Sequence, residues 1–111
     1  MKEISLLQLD ETDMAIADGM RTQGIPIYIA RAMVYLSGAG QATSREIERG
    51  ANIRQPEASR AMKYMIRKGW AEQNGHEYRL VQSIQDIVGS LEAKARAKMD
   101  AQAAALDRLK Q

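Results

Sequence analysis

The sequence predicts a mainly α-helical fold with one small β-hairpin and a long C-terminal helix, and three observations carry that expectation. The 111 residues include four Tyr, one Trp and no Phe, so the core must be built from Met, Ile, Leu, Val and Ala, a set that favours helices. Apolar residues recur every three or four positions through 25–36, 54–68 and 81–111. One Asn-Gly pair, Asn74-Gly75, lies between two short segments and suits a type I′ hairpin turn. With 45% apolar and 27% charged residues, the chain is expected to fold rather than remain disordered.

Asp10 to Met20 reads as a short helix, with Asp10 as N-cap, Glu11 and Asp13 in the first turn, and Leu9, Ile16 and Met20 roughly in phase. Gly24 can end it, and Pro26 suits the first turn of the next helix. "PIYIARAMVYL", 26–36, is apolar on nearly all sides, with Ile25, Ile29, Met33 and Leu36 as its main stripe, and belongs at the centre of a core. "SGAGQAT" is then a loop. Ser44 to Arg49 forms a short helix capped by Thr43 or Ser44, with Gly50 placed to end it. A tight turn, "GANI", leads into a long helix over Arg54–Lys68, which Pro56 starts and Gly69 ends. The hairpin follows, and Val81 to Gln111 forms an Ala-rich helix with Ile84, Val88, Leu91, Ala95, Met99 and Leu106 as its stripe. Tyr35, Trp70 and Tyr78 are expected in the core. Helix–turn–helix followed by a β-hairpin is the winged-helix layout. The implied division is an N-terminal helical extension (1–24), the winged helix-turn-helix (25–81) and a terminal helix (82–111).

Several function classes are disfavoured. The absence of cysteine removes disulfides, thiolate nucleophiles and Cys-ligated zinc, and His76, the only histidine, cannot form a His-cluster metal site. No paired acid–base constellation is present, and "SGAG" at 37–40 lacks the Gly-Lys-Ser/Thr of a phosphate loop and reads as a linker. No enzyme activity, metal or cofactor is therefore expected. "MKEISLLQLDETD" has no apolar signal core, and no run approaches the ~18 apolar residues of a membrane span, so a cytoplasmic location away from membranes is expected.

The net charge of +2 hides an asymmetry. Residues 1–24 carry two basic and five acidic groups, whereas 41–81 carry eight basic and five acidic. Within Arg54–Lys68 the balance is five to one, the single acid being Glu57. At 100° per residue, Ala58, Met62 and Met65 fall on one face, flanked by Ala61 and Ile66, and Pro56, Arg60, Lys63 and Arg67 on the opposite one. Any surface helix has a polar face, but a solvated face ordinarily mixes both signs, and like charges three or four apart cost roughly 0.2–0.5 kcal/mol each. An anionic partner fits this pattern.

"QPEASRAMKYMIRKGW" resembles the recognition-helix signature of winged-helix transcription regulators of the MarR, ArsR and TrmB type, and small archaeal members most closely. The matching residues are Gln55, Pro56, Ser59, Arg60, Met62, Met65 and Gly69, with Trp70 where an aliphatic residue is usual. "TSREIERGANI" resembles the first helix and turn of the same motif, so the likeness spans about 25–81. It implies a sequence-specific, double-stranded DNA-binding transcription regulator. Two departures stand out. Arg54 occupies the usual Ser or Thr cap position, so the helix start needs another acceptor such as Asn52 or a DNA phosphate. The sensing cysteines of many ArsR and MarR types are missing, so neither sensing mode carries over.

On duplex DNA, the front of the 54–68 helix would enter the major groove, with Gln55 pairing an adenine edge and Arg54 or Arg60 a guanine. Ser59 and Lys63 would hold phosphates, as would Thr43, Ser44 and Arg45. Asn74, Gly75, His76 and Arg79 of the hairpin would reach a phosphate or the minor groove, although His76 reads first as a plain turn residue. Arg67 and Lys68 read as solvated. The terminal stripe, spaced nearer 3.6 than 3.5 residues, suits pairing with the same helix of a second chain in a homodimer, or packing back on its own domain. A small-molecule effector is undetermined, with room for a pocket between core and terminal helix. The alternative function is a winged helix used as a protein-interaction module with a merely solvated basic face.

Overall fold

The computed structural model describes residues 9–110, in the order α1 (Glu11–Arg21), α2 (Ile27–Ala39), β1 (Ala42–Thr43), α3 (Ser44–Ala51), α4 (Gln55–Arg67), β2 (Ala71–Asn74), β3 (Glu77–Leu80) and α5 (Ile84–Lys110). The first eight residues of the expected N-terminal extension and Gln111 of the expected terminal helix lie outside the described residues. One continuous core draws on α1 through α5, from Ala17 and Met20 to Ile87.

Asp10 caps α1 as its sequence predicts: the Asp13 N–H donates to the Asp10 carboxylate at 2.8 Å, and the Asp10 N–H donates back to Asp13 at 3.1 Å. Ala17 and Met20 are the buried residues of α1, and Ile16 is exposed. Met20 is buried and Leu9 packs on the core as expected, but Ala17 takes the place of Ile16, because a three-turn helix offers a single i, i+3 row to its neighbour. α2 is the central helix, with Ile29, Ala30 and every residue from Ala32 to Leu36 buried. It continues to Ala39 before Gly40 ends it at φ 86°, absorbing three residues of the expected 37–43 loop.

The end of that expected loop is also structured. Ala42 and Thr43 form β1, which pairs antiparallel with β3 through Ala42↔Tyr78 and Thr43↔Glu77. The sheet order is β1-β3-β2. Two residues are too few to display a period of two, so only the partner strand defines this one.

Gly50 does not end the first helix of the motif, contrary to expectation. It lies inside α3, buried, and a Cβ built there would sit 1.9 Å from the Tyr35 ring. The residue that ends α3 is Asn52, in the left-handed region at φ 55° with its N–H donated to the Glu48 carbonyl. α4 docks through Ala58, Ala61, Met62 and Met65, the two methionines each contributing ~1.5–3 kcal/mol by burial. Ile66, expected at the edge of this face, is exposed. Gly69 ends α4 at φ 78°. Trp70 then donates its N–H to the Met65 carbonyl at 2.9 Å and accepts from Val81 at 2.8 Å, closing the base of the hairpin. Trp70 and Tyr35 are buried in the core, and Tyr78 packs half-buried against it.

α5 starts where the Asp86 N–H donates to the Ser83 hydroxyl at 3.0 Å. Ile87, absent from the predicted stripe, is its buried residue, supported by Ile84, Val88 and Leu91. Beyond Leu91 the helix leaves the core, and Met99, Leu106 and Leu109 are exposed. Twenty-seven residues at ~1.5 Å each give ~40 Å of helix, which accounts for the 66 Å long axis. No helix among the described residues is long and apolar enough to cross a membrane.

Candidate nucleic-acid interface

The basic face of α4 is held outward by the burial of its opposite face. Gln55, Pro56, Arg60, Lys63 and Arg67 are exposed, and Ser59 is half-buried. Arg54 is the N-cap residue, and its exposed guanidinium, a donor-only group, cannot serve as the cap. Its backbone N–H donates instead to Glu57 at 2.9 Å, one half of a capping box. Asn52, the expected alternative acceptor, makes no hydrogen bond to the start of α4 among the described residues and instead ends α3. Pro56 has no N–H, so the Gln55 and Glu57 amides are the helix-start donors left without a side-chain acceptor among the described residues. Glu57 is thus the one acid of this helix and is engaged at its start.

The beginning of α3 stands beside the wing because β1 ties it to β3. Thr43 is the N-cap: its hydroxyl accepts from the Glu46 N–H at 3.3 Å, while the Thr43 N–H donates to Glu46 at 2.8 Å. The Thr43 hydroxyl, predicted for a phosphate, is therefore engaged in its own cap. Ser44 is half-buried and Arg45 exposed.

In the wing, Asn74 pairs with Glu77, so the two-residue turn is Gly75-His76 and not Asn74-Gly75. Gly75 has φ 66° while Asn74 and His76 do not enter the positive-φ region, which excludes type I′ and matches the type II′ pattern of glycine at the first turn position. This register sets Glu72 opposite Arg79, and the two side chains form an ion pair. Both are exposed, so the pair is worth little energetically, yet it occupies the guanidinium predicted for DNA. With Glu72 and Glu77 against Arg79, the wing is not cationic. Asn74, Gly75 and His76 remain exposed at its tip. The positive charge of this region resides on α4.

Two aromatic residues absent from the predicted set join that face. Arg60 lies over the Tyr28 ring at 5.4 Å, Arg67 over Tyr64 at 5.7 Å, and Lys68 over Tyr64 at 5.5 Å. Tyr64 in turn meets Trp70 edge-on at 5.7 Å. Tyr28 reaches α4 because Pro26 starts α2 alongside it. The usable sequence signal was the Arg60–Tyr64–Arg67 spacing, which stacks these residues on one flank.

No protein-family model and no curated protein matches the chain in sequence. Several solved structures resemble it, and three of them illustrate the likeness. TrmBL2, described as an archaeal chromatin protein with a novel mode of DNA binding, superposes with a TM-score of 0.64 at 18% identity, over 88% of this chain and 40% of its own. The MarR family transcriptional regulator SPO1453 from Silicibacter pomeroyi DSS-3 gives 0.56 at 22% identity, over 86% and 73%. Ligand-free NadR gives 0.54 at 18% identity, over 96% and 82%. The chain thus spans less than half the length of TrmBL2. At such identities the likeness is one of fold, and the chain is a winged-helix protein with a long terminal helix.

Proposed function

We propose that this protein is a sequence-specific, double-stranded DNA-binding transcription regulator that acts without catalysis. α4 enters the major groove, with Arg54, Gln55 and Arg60 on base edges and Ser59 and Lys63 on phosphates. The observation that carries the reading is the outer face of α4, where Arg60, Lys63 and Arg67 stand exposed with no carboxylate partner among the described residues. Arg45 and the wing tip, Asn74 to His76, flank it as backbone contacts. The winged-helix neighbours named as a transcriptional regulator and as a DNA-binding chromatin protein support the same reading. Two copies joined through α5 would set two such helices ~34 Å apart, one turn of a palindromic site.

Binding to duplex DNA as a function of salt tests this. Neutralising six phosphates predicts a log–log slope near −5. Arg60→Ala should relax preference at one base pair at a cost of ~1–3 kcal/mol, and Lys63→Ala should weaken all sequences alike. A slope near zero, or no binding at low salt, would instead favour a winged helix that docks on proteins.

A further inference from the structure

Arg60, Lys63 and Arg67 line a slot of about 250 Å³ together with Tyr28 and Ile29 of α2 and Tyr64 of α4. The rings order two of these cations, Arg60 over Tyr28 and Arg67 over Tyr64. Stacking on a ring positions a guanidinium but leaves its full charge and most of its donors unused. No carboxylate is ion-paired with any of the three among the described residues. On the helix circumference Arg60 and Tyr64 lean towards α2, whereas Gln55 and Ser59 lie about 100–180° round on the other flank. The slot therefore faces away from Gln55, with Arg60 standing between the two flanks. Along the axis, Arg67 is twelve residues beyond Gln55, about 18 Å, which exceeds the ~12 Å width of the major groove. With Gln55 at the bases, Arg67 stands at the level of the backbone. From Arg60 to Arg67 the cationic row runs about 10 Å, roughly three nucleotide steps of one strand, a length suited to a polyanion and not to a single small anion.

We infer that this slot is a second phosphate seat, in which Lys63, Arg67 and the Tyr28 hydroxyl grip the backbone of one strand while Arg60 is held by its stack at the border between backbone and base. The inference rests on the DNA-binding reading and extends it to α2 and to the rear half of α4. The test compares the full chain with Arg67→Gln, Arg67→Lys, Tyr28→Phe and Gln55→Ala, using a 30-bp duplex chosen from a random pool and an unrelated duplex of equal length. Arg67→Gln should weaken both duplexes by the same factor of ~3–10 and make the salt slope shallower by about 1. Arg67→Lys should restore the slope. Tyr28→Phe should weaken both duplexes with the slope unchanged, and Gln55→Ala should change sequence preference. Methylphosphonate at the contacted phosphate should weaken the wild type but not Arg67→Gln. Thermal melts matching the wild type establish that each variant is folded. If Arg67→Gln and Tyr28→Phe leave affinity and slope intact while the wild type binds steeply, the seat is refuted and the front half of α4 keeps its assignment. If the wild type binds neither duplex at low salt, both fall together.

Discussion

Gly50 shows how one residue's role depends on what it faces. A glycine inside a helix ordinarily costs ~0.5–1 kcal/mol relative to alanine, so Gly→Ala is usually stabilising. At Gly50 the sign should reverse, because the new methyl would overlap the Tyr35 ring. Gly50→Ala is expected to lower unfolding free energy by ~1–3 kcal/mol, whereas Gly89→Ala on open α5 should raise it; denaturant melts of both variants check this. Tyr35 itself predicts a pH effect. Burial, and secondarily the Glu46 carboxylate, raise its phenol above the ordinary 10.0. An acid whose folded pKa is raised supports the fold fully below its unfolded value and loses that support as pH rises through the folded one. Stability should therefore fall above about pH 10, and Tyr35→Phe should remove that part of the fall.

The wing carries the clearest lesson among the elements. Asn-Gly correctly marked a hairpin, but the register moved one residue on, since the β2–β3 ladder pairs Asn74 with Glu77. Gly75 is then the position that needs φ above zero, and Asn74 is an ordinary strand residue. Gly75→Val is expected to cost ~1–3 kcal/mol, and Asn74→Thr to stay within about ±0.5 kcal/mol; a type I′ turn at Asn74-Gly75 would make both costly. The same register explains why Arg79 meets Glu72, a pairing hidden until the turn is placed. β1 was equally hidden, because a two-residue strand is defined only by its neighbour. α4 was legible nearly to the residue, since its Pro start, Gly stop and two chemically distinct faces are all local features.

For the whole molecule, the outstanding feature is that α5 leaves the core after Leu91, with Met99, Leu106 and Leu109 exposed along it. Isolated apolar residues on a surface are ordinary, but three on the free stretch of one helix suit a second copy of the chain. Sedimentation should report a dimer of the full chain. A Met99→Glu/Leu106→Glu double variant should sediment as a monomer that retains its helical spectrum; an unchanged dimer would place the interface elsewhere. Loss of dimerisation should also weaken binding to a palindromic duplex more than to a single half-site, since only the paired form engages both halves.

The sequence by itself determined the helical class, the boundaries of α1 and α4, the hairpin's existence and the cationic outer face of α4, because caps, breakers and 3.6-residue periodicity act within a few residues of each other. Tertiary structure alone decided the role of Gly50, the strand pairing of Ala42 and Thr43, the capture of Arg79 by Glu72, and the gathering of Tyr28 beside Arg60 and Arg67. Each of those depends on which distant residue packs or pairs opposite, and such partners are set by the approach of whole elements around a shared core.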